Sequence, residues 1–299
     1  MNRINNILVI VDPTATEHPA IEKATVLAAK LNARLELFVC DTKAAREARM
    51  ALHARMQPGR PFLLDVKEAL ESLARPLRDR GLDVTAETEC DDPLHVGLVS
   101  RAKRTSADLV LKDTHHHSLA RRTFMTNTDW NLIRSCPVPL MLTKAKPWAA
   151  HPRVLAAIDP GHANDKPAAL DQRILDHAAA LCKALDGELH VFHAYVPIAV
   201  IAAATGGTPP MALSISPEEL AIEEATKRKD LLQLVAPYGV GPAHIHLEVG
   251  SPGELIPRAA ETLNADVVVM GAVSRSGLKR MFVGATAEDA LERLPCDAF

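Results

Sequence analysis

Aromatic residues make up only 3% of the 299-residue chain, so any core must be aliphatic. No apolar stretch reaches the length needed to cross a bilayer, the best being Ile198 to Ala204, and no membrane partner is expected. Long basic runs are also missing and the net charge is −3, which gives nucleic acid no electrostatic footing. The five cysteines, Cys40, Cys90, Cys136, Cys182 and Cys296, are scattered, odd in number and free of CxxC spacing. Reduced thiols in a cytoplasmic protein are the economical expectation. Met1-Asn-Arg-Ile-Asn5 has no signal-peptide shape and leads straight into an apolar run. No Ser/His/Asp or Cys/His arrangement can be defended by spacing, so no catalytic residue is assigned.

What the chain does have is a repeat. In one constant register Ala107-Asp-Leu-Val-Leu-Lys112 falls on Ala265-Asp-Val-Val-Val-Met270, Phe124 on Phe282 and Thr128 on Thr286. Ile7-Leu-Val-Ile-Val-Asp12-Pro13 resembles Val154-Leu-Ala-Ala-Ile-Asp159-Pro160 in a different register, so the second half carries a net insertion. Two long similar halves mean a duplicated domain rather than a solenoid. The domains are read as 1–146 and 147–299, joined through Lys144-Ala-Lys-Pro-Trp-Ala-Ala-His-Pro152.

Each half alternates unbroken apolar runs with amphipathic helices, the pattern of an α/β fold with a doubly wound parallel sheet buried on both faces. Asn6–Val11, Leu35–Cys40, Leu82–Glu89, Asp108–Leu111 and Pro137–Thr143 read as the first five strands. Ser216-Pro-Glu-Glu219 and Ser251-Pro-Gly-Glu254 read as capping boxes, with proline at the first helical position. The charged segment Asp41–Met56 is expected to form a solvent-facing helix, and Val196–Ile215 a mobile flap over the crevice. The chain stops at Cys296-Asp-Ala-Phe299, where a fifth strand of the second half should begin, so that strand is expected to be cut short.

In such sheets ligands bind beyond the carboxyl ends of the strands, beside strand one. That brings Asp159, Ala194 and Gly271 around one crevice, and Asp12, Cys40 and Asp113 around the other. The run Val267–Met270 enters Gly271, then a Gly/Ser/basic loop with Lys279 and Arg280, and Gly284 opens another helix. A glycine loop leading to a helix N-terminus can receive phosphate oxygens on backbone N–H groups, although tight turns use glycine for steric reasons alone. In the first half Lys112-Asp113-Thr-His-His-His117 stands at that place. Asp113, His115 and His117 are ligand types that zinc accepts, but adjacent residues seldom aim at one ion, and a solvated polar loop is the favoured reading. His244 and His246 share a face of one strand and are read as surface polar groups.

These residues resemble the universal stress protein family in its tandem form, over essentially the whole chain. The resemblance rests on Val267-Val-Val-Met-Gly271, Arg275-Ser-Gly-Leu278, Gly284 with Thr286-Ala-Glu288, Thr128-Asp-Trp130 and Ser135-Cys-Pro-Val138. It implies two Rossmann-like five-stranded domains packed as an intramolecular pseudo-dimer, with a homodimer as a further possibility. It also implies an adenine nucleotide, ATP, ADP or AMP, held by a regulator, with magnesium entering only on the nucleotide. The base- and ribose-contacting positions of the family fall on Asp159, Ala194 and Met270. The phosphate positions fall on Gly271, Ser274, Gly284, Ala285 and Thr286, where Ser274 replaces the second glycine and Ala285 the hydroxyl. In the first half Thr126 replaces the third glycine, and Asp113 would turn a carboxylate on the phosphates. The competing functions are an interaction protein or binder of another small or apolar ligand, and a slow ATP hydrolase.

Overall fold

The computed structural model describes residues 4–13, 15–41, 47, 62–90, 93–114, 125–160, 169–197, 200, 216–272 and 284–299. The chain divides into two compact units, one of Asn2–Trp148 with Cys296–Phe299 and one of Ala149–Pro295. The N-terminal unit runs β1 (Asn6–Ile10), α1 (Pro19–Leu31), β2 (Arg34–Asp41), α2 (Phe62–Asp79), β3 (Val84–Cys90), α3 (Leu94–Arg104), β4 (Leu109–Asp113), α4 (Asn127–Ser135) and β5 (Leu140–Thr143). The C-terminal unit runs β6 (Arg153–Ala157), α5 (Leu170–Leu185), β7 (Glu188–Tyr195), α6 (Pro217–Val235), β8 (Ile245–Val249), α7 (Pro252–Thr262), β9 (Val267–Met270) and α8 (Ala285–Arg293). A two-residue strand, β10 (Asp297–Ala298), follows and belongs to the N-terminal unit.

The N-terminal strands lie in the order β3-β2-β1-β4-β5-β10, and the C-terminal ones in the order β9-β6-β7-β8. Every pairing described within a unit is parallel except β10 on β5, where Ala298 faces Leu142. Both faces of β1 are dry: Ile7 and Val9 point to one side, Leu8 and Ile10 to the other, and all are buried. This is why the strands read as continuous apolar runs rather than as alternation. Leu8 and Ile10 pack with Phe38, Leu98, Val110 and Leu132 in one cluster, so α3 and α4 cover that face.

The halves repeat each other cap for cap. Asn32 after α1 and Asp186 after α5 both take left-handed backbone, at φ of 52° and 54°. Ser106 and Asn264 do the same after α3 and α7, at 50° and 48°. The repeated Ala-Asp pair also has a physical role. Asp108 Oδ2 accepts the backbone N–H groups of Asn5 and Asn6 at 2.8 and 3.0 Å. Asp266 accepts those of Ala149 and Arg153 at 3.2 and 2.9 Å. Each carboxylate thus ties the start of its central strand to the strand beside it, satisfying donors that the sheet leaves open.

Several expectations need correction. The helix at Ser251 starts as expected, with Pro252 in its first turn, but the serine side chain makes no capping bond. Ser216 does form the full capping box with Glu219. Strand five begins only at Leu140, because Pro137 and Pro139 lack the N–H that a ladder uses. The expected helix over Asp41–Met56 and the flap over Val196–Ile215 lie almost wholly outside the described residues. No helix among the described residues is long and apolar enough to cross a membrane.

Candidate functional site

The carboxyl ends of β6, β7 and β9 converge in the C-terminal unit. Ala157 pairs with Met270 on one side and Phe192 on the other, which brings Asp159, Ala194, Met270 and Gly271 to one edge of the sheet. Ala194 is buried, Met270 half-buried, and the Asp159 side chain is 46% exposed. The Gly284 N–H donates to the Ala272 carbonyl at 3.1 Å, which sets the start of α8 beside the end of β9. Gly271, Gly284, Ala285 and Thr286 therefore share one neighbourhood. Ser274, Lys279 and Arg280 lie outside the described residues.

The two glycines differ in environment. A side chain on Gly271 would meet Leu170 of α5, whose Cδ2 lies 2.8 Å from the position a Cβ would take. A side chain on Gly284 would meet nothing within 4 Å among the described residues, and its backbone, at φ −67° and ψ 140°, is open to any residue. Gly284 is the N-cap of α8 and supplies no side-chain hydrogen bond to that turn. Backbone N–H groups of a first turn without such a cap, beside open space, are chemically fit to receive an anion. Against this, the Asp159 N–H is taken by the Asp171 carboxylate at 3.0 Å, which adds a negative group to the same edge.

His193 was missed from sequence. Its Nδ1 lies 3.1 Å from the Ile158 carbonyl, so Nδ1 carries the proton and donates, and 3.8 Å from Asp159 Oδ1. Burial holds this imidazole below its usual pKa, against the opposing pull of Asp159. It is a neutral brace behind the turn that carries Asp159. Its ring stacks on Tyr195, and Lys227 of α6 lies over the tyrosine ring at 4.8 Å.

The corresponding place in the N-terminal unit is built differently. Thr126 is the N-cap of α4, and its hydroxyl accepts the Asp129 N–H at 3.2 Å. Asp129 Oδ2 returns the bond by accepting the Thr126 N–H and O–H at 2.7 and 2.8 Å. Its Oδ1 lies 2.7 Å from the Lys112 ammonium, and the carboxylate is wholly buried. The Asp113 carboxylate is engaged within the unit. Its Oδ1 accepts the Ala20 N–H at the start of α1 and the Thr143 hydroxyl, both at 2.7 Å. Burial pushes its carboxyl upward in pKa, opposed by those two bonds. Asp113 is thus taken up by local structure, while His115 and His117 lie outside the described residues. Among the described residues no group of three or more His, Cys, Asp or Glu side chains is arranged to hold a metal ion.

Two further polar features do not amount to ligand sites. A cavity of about 370 Å³ opens at the amino ends of the N-terminal strands, lined by Asn6, Arg34, Glu36, Thr85, Arg101 and Arg104 among others. Its guanidinium groups are already paired, Arg101 with Glu36 and Glu89, and Arg104 with Glu89. The histidines read as surface groups instead form a cluster. His190 Nδ1 lies 3.0 Å from His246 Nε2, and the His190 and His244 rings are 4.6 Å apart.

Two parallel α/β units with matching left-handed helix ends and matching Asp anchors define a tandem protein built on one duplicated domain. The universal stress protein family model matches residues 3–144 and again 152–299, and the chain belongs to that family, whose members serve the stress response. It is of the tandem kind similar to Universal stress protein E. It is 26% identical to that protein of Escherichia coli K12 over 306 aligned residues, covering 99% of this chain and 93% of the relative. The crystal structure of a putative universal stress protein from Pseudomonas aeruginosa UCBPP-PA14 superposes with a TM-score of 0.74 at 28% identity, over 99% of this chain and 92% of that one. A universal stress protein from Archaeoglobus fulgidus DSM 4304 shares the fold at a TM-score of 0.64 and 17% identity, over 99% and 98%.

Proposed function

We propose that this chain is a cytoplasmic stress-response regulator that holds an adenine nucleotide in its C-terminal unit only. The observation that carries the reading is the start of α8, where Gly284 leaves a first turn without an N-cap side-chain bond beside space that no described residue fills. Phosphate oxygens would approach over Gly284 and meet main-chain N–H groups at Ala285 and Thr286, aided by the helix dipole. Asp159, Ala194 and Met270 would line the base and ribose, and magnesium would arrive only with the phosphates. Calorimetry with ATP, ADP and AMP tests this directly. Binding is expected in wild type and in Asp113→Ala, and none in Gly284→Asp, whose carboxylate would stand among the phosphates. Affinity that survives Gly284→Asp and disappears with Asp113→Ala assigns the site to the other unit.

A second reading has its own support. Leu170 already packs on Gly271, and the Asp171 carboxylate lies at the same edge, as suits an interaction protein whose crevice no longer takes nucleotide. Calorimetry silent to all three nucleotides selects that reading.

A further inference from the structure

The N-terminal unit differs from its twin at three matched positions. Lys112 stands where the C-terminal unit has Met270, Thr126 where it has Gly284, and Asp129 where it has Ala287. All three N-terminal side chains engage one another. The Asp129 carboxylate collects the Thr126 N–H, the Thr126 hydroxyl and the Lys112 ammonium, at 2.7 to 2.8 Å. It does so at a helix N-terminus, with no solvent exposure. A buried carboxylate with two hydrogen-bond donors on one oxygen and an ammonium against the other is chemically an oxyanion bound in a site. Its Oδ1 makes no hydrogen bond of good geometry, so the ammonium alone offsets the burial of that oxygen.

We infer that the N-terminal unit keeps a built oxyanion site whose occupant is the chain's own Asp129 side chain, held by Lys112 and Thr126. An ordinary capping box explains the Thr126–Asp129 exchange, but such boxes form at exposed helix ends without a lysine. Ser216 and Glu219 do so in this chain, in an exposed setting. Lys112 needs a separate account. It comes from the end of β4, it is buried, and among the described residues it otherwise bonds the Asp113 carbonyl at 2.9 Å. Burying a lysine is unfavourable without an anion partner, and Asp129 is that partner. The tethered carboxylate is always present at effectively saturating concentration, so no free anion displaces it. The two halves are thereby made unlike: one start of a helix is closed by Asp129 at its third position, and its counterpart has Ala287 there.

The inference stands independently of whether the C-terminal crevice takes a nucleotide, and its test uses a different probe. In a Gly284→Asp background, Asp129→Ala removes the carboxylate and leaves Lys112 and Thr126 in place. Formate and acetate, compared with chloride at equal ionic strength, should then raise the melting temperature by about 3 °C or more at saturating concentration. Neither Gly284→Asp alone nor Lys112→Met/Asp129→Ala in the same background should respond. Where Asp129→Ala does not fold, Asp129→Asn keeps the shape and loses the charge. It should be less stable than its parent and, because its amide still fills the site, gain nothing selectively from formate. Equal stability of Asp129→Asn and its parent, or an anion response of Asp129→Ala no larger than that of the double variant, overturns the inference and leaves a helix cap only.

Discussion

Lys23 and Asp297 come from opposite ends of the sequence and form an ion pair of 2.7 Å with side chains 5% and 1% exposed. Lys23 also donates to the Lys144 carbonyl at 2.7 Å. Asp297 accepts the Lys144 N–H and the Trp148 indole N–H, each at 2.8 Å. The final residues are therefore part of the N-terminal unit's interior. The sequence-based expectation of a cut-short strand for the second half overlooked this role.

Breaking the pair should be costly, because the remaining charge would be buried without a partner. Asp297→Ala is expected to destabilise the N-terminal unit by about 3–5 kcal/mol. Lys23→Met/Asp297→Leu should recover only part of that loss, since it removes the unpaired charge but leaves the Lys144 and Trp148 N–H groups without an acceptor. Urea unfolding of the three proteins decides the matter, and a single variant as stable as wild type would show that the network carries little.

Asp113 offers a cleaner local case. Its carboxylate caps α1 through Ala20 and holds Thr143. Asp113→Ala leaves the Ala20 N–H without its acceptor and the Thr143 hydroxyl only the Lys112 carbonyl at 3.3 Å, and should cost about 1–3 kcal/mol while nucleotide affinity stays unchanged. Thermal melting and calorimetry on the same sample separate the two effects.

The histidine cluster predicts a pH response. Burial first, then neighbouring charge, holds His190 and His246 below the ordinary imidazole value of 6.5. Around them stand Glu188 on β7, Arg153 on β6, His244 and Glu248 near and on β8, and Arg228 on α6. Because the unfolded chain takes up protons first, stability is full above about 6.5 and falls as the pH drops toward the folded values. His190→Gln/His246→Gln should flatten, without abolishing, the fall between pH 7 and 5, since His177 and His193 are lowered as well. Unfolding free energies at several pH values measure the slope, and a double variant as steep as wild type would clear these two residues.

The duplication was legible because buried parallel strands and their Asp anchors leave contiguous marks, such as Ala107-Asp108 and Ala265-Asp266. The histidine cluster was not. His190 and His246 are 56 residues apart, and only the parallel register of β7 on β8 brings them together. Asp113 was misread because its address at the end of β4 said nothing of where its carboxylate turns. The Lys112–Asp129 pair did leave a signal in the repeat. Both positions are charged in the first half and apolar in the second, Met270 and Ala287, as two residues in contact should be.

The last prediction separates stability from binding at the two glycines of the candidate site. Gly271→Ala places a methyl group 2.8 Å from Leu170 Cδ2, and should cost about 1–2 kcal/mol through overpacking. Shortening the neighbour in Gly271→Ala/Leu170→Ala should relieve that clash. Gly284→Asp should do the opposite. Its site is open, its backbone suits any residue, and aspartate is a stronger N-cap than glycine, so α8 should gain a few tenths of a kcal/mol. The same carboxylate would answer the first-turn N–H groups, as the Thr126 hydroxyl does in the chain's other half, and repel phosphate. The expected outcome is a protein slightly more stable than wild type that no longer binds nucleotide. A Gly284→Asp variant that melts lower than wild type, or that still binds ATP, would mean that the start of α8 is not the open anion site described above.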